Sequence, residues 1–188
     1  MILNKRNPET LETISTMISD GGVAILPCDT IYGLCAAYGV GEKALMDLKG
    51  RDGNKPFLVL ATIEQAKAMC TEIPDDILRA WPAALTVILN KKGGGTIAIR
   101  VPNDEFLQQL LPMVGSPIYS TSVNMAGEPS LLNLTAISKR FEALVDVVVR
   151  GDEIQGRVPS TLIDATCKPY KLVRQGLYDA SALINGLS

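Results

Sequence analysis

The sequence contains no histidine among its 188 residues. This absence removes the commonest general base, a frequent transition-metal ligand, and every arrangement in which a histidine activates a serine or cysteine. Four cysteines occur, but none forms a C-x-x-C pair, so neither a zinc site nor a redox motif is indicated. Any chemistry here has to proceed without imidazole, and we expect no metal held by protein ligands alone.

Long apolar runs are absent as well. Hydrophobic residues make up 47% of the sequence, but proline, glycine or charge interrupts them before the roughly 20 residues that span a bilayer. The N-terminus also lacks the apolar run of a secretory signal. We therefore expect a cytoplasmic protein without membrane contact, built as one domain over residues 1–188. Because the formal net charge is −2, an anion site would need a local basic cluster.

Helix and strand signals intermix along the chain. A helix is predicted from Asn7 until Gly21 ends it. Further helices are predicted at 42–48, 63–70, 74–80, 104–111 and 134–143, and strands at 23–26, 57–60, 85–89, 97–101, 118–120, 145–149, 161–163 and 171–173. The strands at 85–89 and 97–101 read as a hairpin. Since strict alternation is missing, we expect an α/β fold with an open, twisted, mixed sheet and helices packed on it.

The loop after the strand at 23–26 contains Asp29, Thr30 and Tyr32. Open α/β sheets bind ligands beside the carboxyl ends of their strands. These three residues are therefore candidates for a binding site.

The segment Lys49–Lys55 places two lysines and one arginine, Arg51, among two glycines. Such a segment can wrap a polyphosphate and offer both point charges and a bidentate guanidinium. On charge pattern alone the solvated surface loop is the favoured alternative, because lysine and arginine are mostly surface residues.

Two strands place polar side chains on one face. Ser120, Ser122 and Asn124 point the same way if the chain stays extended, although such residues also cap turns locally. Thr96 and Arg100 are separated by an even number of positions on another predicted strand, so their side chains point to the same face. An arginine in such a strand is ordinarily solvated. Together these clusters favour a cavity for an anionic or zwitterionic ligand, and neither a P-loop nor a Rossmann fingerprint is present to bind phosphate.

A series of motifs in order covers nearly the whole chain and resembles the YrdC-like threonylcarbamoyl-AMP synthases. The motifs are Pro27-Cys-Asp-Thr-Ile-Tyr-Gly-Leu34, Lys49-Gly-Arg51, Lys55-Pro56, Trp81-Pro82, Leu85-Thr86, Thr96-Ile-Ala-Ile-Arg-Val-Pro102, Ser120-Thr-Ser-Val-Asn124, Ser160-Thr161 and Val173-Arg174-Gln-Gly176. Each motif is weak alone, but the ordered set is specific. The chain is similar to the single-domain form, because no extension follows the Arg174 segment.

The resemblance implies an open α/β sheet around a deep cavity. It implies a nucleotidyltransferase that combines L-threonine, bicarbonate and ATP into L-threonylcarbamoyladenylate, releases pyrophosphate, and so supplies a tRNA modification. Mg²⁺ would accompany the ATP, a transferase complex would act downstream, and a tRNA contact is possible within this resemblance.

The resemblance also implies roles for residues. The catalytic residues would be Lys49, Arg51, Ser122 and Asn124. The ATP contacts would be these four together with Lys55, Thr96, Ser130 and Arg174. The threonine contacts would be Thr30, Arg100, Ser120 and Ser160.

The chain departs from the family pattern at four places. Cys28 replaces a usual threonine, Ala83-Ala84 replaces Gly-Pro, Val123 replaces alanine, and Leu60 stands where many members have histidine. These changes bear on threonine selectivity more than on nucleotide binding. The alternatives are an RNA-binding YrdC-like protein and a paralogue without synthase activity.

Overall fold

The computed structural model describes residues 1–50, 56–125, 127–151 and 158–186, which form ten strands and seven helices. The strands are β1 (Ile2–Asn4), β2 (Ala24–Leu26), β3 (Gly33–Ala37), β4 (Leu58–Leu60), β5 (Leu85–Asn90), β6 (Thr96–Arg100), β7 (Ile118–Ser122), β8 (Val147–Arg150), β9 (Thr161–Asp164) and β10 (Lys171–Arg174). The helices are α1 (Glu9–Ser19), α2 (Glu42–Lys49), α3 (Ile63–Met69), α4 (Asp75–Ala80), α5 (Glu105–Val114), α6 (Leu134–Phe141) and α7 (Ser181–Ile184).

All ten strands join one open sheet in the order β1-β8-β2-β3-β7-β4-β6-β5-β9-β10. Four pairs are parallel, namely β1 with β8, β2 with β8, β4 with β6 and β5 with β9, and the other five are antiparallel. The predicted mixed sheet is therefore confirmed. The predicted hairpin is confirmed too, since β5 and β6 pair antiparallel from Thr86 opposite Arg100 to Asn90 opposite Thr96.

Apolar side chains alternate between the two faces of the sheet, as the strand pleat requires. We call the front face the one to which Ala24, Leu26 and Val147 belong, where α1 and α5 supply Ile14 and Leu110 to one apolar cluster. The back face has the larger cluster, which includes one or more residues from each of α2, α3, α4, α6 and α7. Helices thus pack on both faces of the sheet.

The front cluster ends near β4. It includes Leu60, whereas Val87, Ile99 and Ile163 of β5, β6 and β9 belong to the back cluster. The alternate residues of those three strands therefore point to the front, where an opening remains beside α1 and α5. This opening holds the candidate site.

Polar side chains cap the first turns of two helices. The Asp104 side chain accepts from the Leu107 amide (3.0 Å), and the Asn133 side chain accepts from the Ala136 amide (2.7 Å). Such caps satisfy donors that the first turn leaves open. Within the described ranges, no helix combines the length and the apolar composition of a membrane span.

Three elements are missing from the sequence prediction. β1 and α7 are too short to give a clear sequence pattern. β3 was missed because it contains Gly33 and small residues with weak strand preference, such as Ala36 and Ala37. The strand predicted at 118–120 is longer in the structure, because β7 continues to Ser122. Pairing with β3 extends the strand in a way that local composition does not reveal.

Leu110 offers a test of the front cluster. Its side chain is fully buried, whereas Met113 on the same helix is 48% exposed. We expect Leu110→Ala to lower the free energy of unfolding by about 2–5 kcal/mol and Met113→Ala by less than about 0.5 kcal/mol. Urea unfolding of both variants measures this difference, and equal effects would contradict the assigned packing.

Candidate functional site

A cleft of about 300 Å³ lies on the front face. Its lining comes from the loop after β2, the first residues of β3, β4, β5 and β9, and the last residues of β6, β7 and β10. The residues that line it are Thr30, Ile31, Tyr32, Gly33, Pro56, Phe57, Leu58, Thr86, Ala98, Arg100, Ser120, Thr121, Ser122, Ser130, Pro159, Ser160, Leu162 and Arg174. Hydroxyl groups and two guanidinium groups therefore dominate its polar surface.

Arg100 is a buried cation in this lining, with 3% of its surface exposed. Its Nη1 donates to Thr30 Oγ1 (2.9 Å), and its Nη2 lies 3.2 Å from Asp29 Oδ1. Arg100 Nε is buried and has no hydrogen-bond partner within the described ranges. A buried donor without an acceptor costs about 1–3 kcal/mol, so a ligand oxygen at this position would be stabilising.

Arg174 and Ser160 form a second polar group. The Arg174 guanidinium donates to the Ser160 carbonyl oxygen from Nη2 (2.9 Å) and from Nε (3.3 Å). Ser160 Oγ lies 2.7 Å from Thr86 Oγ1. Burial lowers the pKa of Arg174, and the charge of Arg100 lowers it further. Two like charges this close favour an anionic ligand, because an anion would reduce their repulsion.

Lys49 is the last residue of α2 and is 1% exposed. Its Nζ donates to the carbonyl oxygens of Ser122 (2.8 Å) and Asn124 (2.7 Å), and also to Asn124 Oδ1. Ser122 Oγ donates to the same Oδ1 (2.7 Å). A helix end, a strand end and the turn that follows it are thereby joined.

Two thiols lie behind the cleft. Cys28 and Cys35 are buried, and Cys35 Sγ lies 3.6 Å from Ser120 Oγ. Their mutual hydrogen bond raises the pKa of Cys28 and lowers the pKa of Cys35. Gly33 is required between them, because a Cβ there would approach Ser120 Oγ to 2.6 Å. Cys28 thus packs against the residues that shape the cleft.

The structure brings together most of the predicted site residues that it describes. The cleft is lined by Thr30, Arg100, Ser120, Ser122, Ser130, Ser160 and Arg174. Lys49 and Asn124 contact Ser122 from behind the lining. Arg51 and Lys55 lie outside the described residues, so their proposed ATP contacts stay predictions.

Two predictions from strand parity can be compared with the structure. Ser120 and Ser122 both line the cleft, as predicted. Arg100 lines it too, but Thr96 is exposed at the start of β6 and outside the lining. The prediction that Thr96 contacts ATP is untested. The solvated-loop alternative is wrong for Lys49, which is buried.

Sequence reasoning missed Thr86 as a site residue. Thr86 is 2% exposed, pairs across the sheet with Arg100, and bonds Ser160. A signal was present, since Thr86 is the only hydroxyl in the otherwise apolar run from Leu85 to Leu89. A buried hydroxyl needs a partner, which identifies such a residue as a site candidate.

Curated relatives share sequence with most of the chain. A threonylcarbamoyl-AMP synthase of Pyrococcus abyssi is 31% identical over 176 residues, covering 85% of this chain and 52% of the relative. A threonylcarbamoyl-AMP synthase of Bacillus subtilis is 27% identical over 191 residues, covering 93% of this chain and 55% of the relative. The chain thus spans about half the length of these two relatives.

Solved structures share the fold. P. abyssi Sua5 complexed with L-threonine has a TM-score of 0.85 and 29% identity, covering 94% of this chain and 57% of that chain. E. coli YciO has a TM-score of 0.84 and 22% identity, covering 97% of this chain and 98% of that chain. The family model Sua5/YciO/YrdC, described as "Telomere recombination", matches residues 16–176. Because this match extends over most of the sequence, the chain belongs to the Sua5/YciO/YrdC family.

Proposed function

We propose that this protein is an L-threonylcarbamoyladenylate synthase. The observation that carries the proposal is the meeting of Arg100, Arg174 and a set of hydroxyl groups in one cleft of a family member. Relatives named threonylcarbamoyl-AMP synthase, and a family structure with L-threonine bound, support the same choice. In this proposal the substrates are ATP, L-threonine and bicarbonate.

The reaction needs positioning more than a protein nucleophile. The threonine amine and bicarbonate give a carbamate and water, and a carbamate oxygen then attacks the α-phosphorus of ATP. The bond from this phosphorus to the bridging oxygen breaks, and pyrophosphate leaves. An in-line displacement of this kind depends on alignment and on charge neutralisation, which cations and hydroxyls provide. The lack of histidine is compatible with such a mechanism.

Arg100 is suited to the carboxylate of threonine. It is held by Thr30 and Asp29, and its buried Nε has no protein acceptor among the described residues. Guanidinium groups bind carboxylates through parallel donors, which fixes orientation as well as adding binding energy. In this proposal Ser120 and Ser160 contact the rest of the amino acid, as the resemblance implies.

Arg174 and Ser130 line the same cleft and would face the nucleotide. The charge of Arg174 would then neutralise phosphate, in line with its lowered pKa beside Arg100. Lys55 and Thr96 remain proposed ATP contacts, and Arg51 a proposed catalytic residue, by resemblance. Because the proposed reaction transfers the adenylyl group of ATP and releases pyrophosphate, the protein would be a nucleotidyltransferase.

Mg²⁺ would enter this site with ATP. The described residues contain no group of three or more acidic, cysteine or histidine side chains that could hold a metal. The cleft offers neutral hydroxyl oxygens, which suit an ion that keeps its waters and is bound chiefly by substrate phosphates. The ion would supply charge neutralisation on the phosphates, and Arg174 would add to it.

The proposal extends to the product. An activated threonylcarbamoyl group has to be passed on, so a downstream transferase complex that modifies tRNA in the cytoplasm is a proposed partner. Direct tRNA contact is the alternative role. A protein that shifted tRNA in a salt-sensitive gel assay without any ATP turnover would have that role instead.

Pyrophosphate release tests the proposed activity. The purified protein is given Mg²⁺, ATP and bicarbonate, with L-threonine, with L-serine or with no amino acid. We expect release that needs both bicarbonate and threonine, and weaker release with serine, because a pocket discriminates a single methyl group by about 10- to 200-fold. Release that is independent of the amino acid, or none from folded protein, would contradict the proposal.

Arg100 tests the placement of the amino acid. We expect Arg100→Gln to raise the Michaelis constant for threonine by roughly 10- to 100-fold, since a charged hydrogen bond contributes about 1.5–3 kcal/mol. The constant for ATP should change much less. Arg150→Gln, an exposed arginine on β8, is the control and should resemble the wild type. Thermal unfolding verifies that each variant is folded, and equal effects on both substrates would refute this placement.

A further inference from the structure

Two buried hydroxyl groups in the cleft are each other's closest hydrogen-bond partner. Thr86 and Ser160 are each 2% exposed, both line the cleft, and Thr86 Oγ1 lies 2.7 Å from Ser160 Oγ. Within the described part of the chain, Thr86 Oγ1 has no other hydrogen-bond partner. Ser160 Oγ has one further neighbour, Arg174 Nη2 at 3.4 Å, which can only donate. Thr86 and Ser160 therefore form a pair, which we call the hydroxyl dyad.

The hydroxyl dyad contains one hydrogen more than its own contacts use. Each hydroxyl carries one hydrogen, and the bond between the two oxygens takes one of the two, whichever residue donates it. Arg174 brings a donor, so it cannot accept the second hydrogen. The residues that the structure describes provide no acceptor for this hydrogen. Because both side chains are buried in the cleft wall, an acceptor atom of a ligand would satisfy it.

A second unmatched donor lies on the neighbouring strand. Thr86 is directly opposite Arg100 in the pairing of β5 with β6, and both residues line the cleft. Side chains in opposite positions of this kind have Cβ atoms about 4.5–5.5 Å apart. Arg100 Nε is buried and lacks an acceptor in the described ranges. A ligand group that satisfies both donors needs two neighbouring acceptor atoms and, beside a guanidinium, a negative charge, and a carboxylate has both properties.

We propose that Thr86 is a further substrate-binding residue, and that the hydroxyl dyad donates its unused hydrogen to one carboxylate oxygen of the amino acid while Arg100 binds the other. The identity of the amino acid rests on the proposed function. This assignment moves the contact of Ser160 from the rest of the amino acid to its carboxylate. Because the dyad has one hydrogen to give whichever way its internal bond runs, each hydroxyl would partly replace the other.

Thr86→Val tests this role, because it removes the hydroxyl and keeps the branched shape of the side chain. Isothermal titration with L-threonine is carried out on this variant, on Ser160→Ala and on the double variant. Each single variant keeps one hydroxyl, and we expect it to lose about 2- to 10-fold in affinity. The double variant has no hydrogen to give and should lose roughly 10- to 150-fold, as expected for a hydrogen bond to a charged group.

Thr86→Ser keeps the hydroxyl and should bind threonine within about twofold of the wild type. Thr10→Val, which removes a buried hydroxyl on α1 outside the cleft lining, is the control and should leave the affinity unchanged. The assignment is overturned if Thr86→Val has no further effect in the Ser160→Ala background, since Ser160 would then act alone. A loss for ATP equal to or larger than that for threonine also overturns it, because the acceptor would then be a phosphate oxygen.

The same titrations separate this inference from the proposed function. Wild-type protein that binds L-serine, L-alanine or glycine but not threonine, with the expected loss in the double variant, would overturn the function and support the inference. Threonine binding that does not depend on Thr86 would overturn the inference alone, and protein that binds none of these amino acids contradicts both. Thermal unfolding verifies folding. If the double variant does not fold, Thr86→Val decides alone, and the inference is overturned if this variant loses no threonine affinity.

Discussion

The candidate site depends on the incomplete covering of one sheet face. Helices α1 and α5 pack on the front face as far as Leu60, and beyond it β5, β6 and β9 turn Thr86, Arg100 and Leu162 toward an opening. A strand buried on both faces would need apolar side chains on both, as parallel strands usually have. Here Thr86 and Arg100 place a hydroxyl and a guanidinium group at such positions, beside the apolar Ala98 and Leu162. The same pleat that builds the back cluster therefore supplies the polar lining of the cleft.

Buried cations are the main electrostatic feature of this region. Lys49 and Arg100 are almost fully buried, whereas Arg174 at the end of β10 is more exposed. They are stabilised in different ways, since Lys49 has neutral oxygen acceptors, Arg100 has Asp29 and Thr30, and Arg174 has the Ser160 backbone. The cleft itself is lined by two guanidinium groups, those of Arg100 and Arg174, in a chain that is acidic overall. A local cationic lining of this kind favours an anionic ligand.

How much could be predicted depends on whether a feature is local. The strand pattern predicted that Ser120 and Ser122 point to the same face, and the structure places both in the cleft. The environment of Lys49 could not be foreseen from the sequence around it, because its acceptors come from residues 73 and 75 positions further along the chain. Sequence near Lys49 shows only charge and glycine, which is equally typical of a surface loop. The resemblance to a family identified the residue as important, but only the fold shows which atoms it contacts.

The same distinction applies to the strands and to Thr86. β3 was missed because Gly33 and Ala36 have weak strand preference, yet β3 pairs on both sides and is held by its neighbours. Position 33 also requires glycine, because any side chain there would collide with Ser120. Glycine and alanine fit here because they are small, but both have weak strand preference. The local sequence therefore does not reveal the strand. For this reason local reasoning fails near the cleft, where packing between distant strands determines which residue fits.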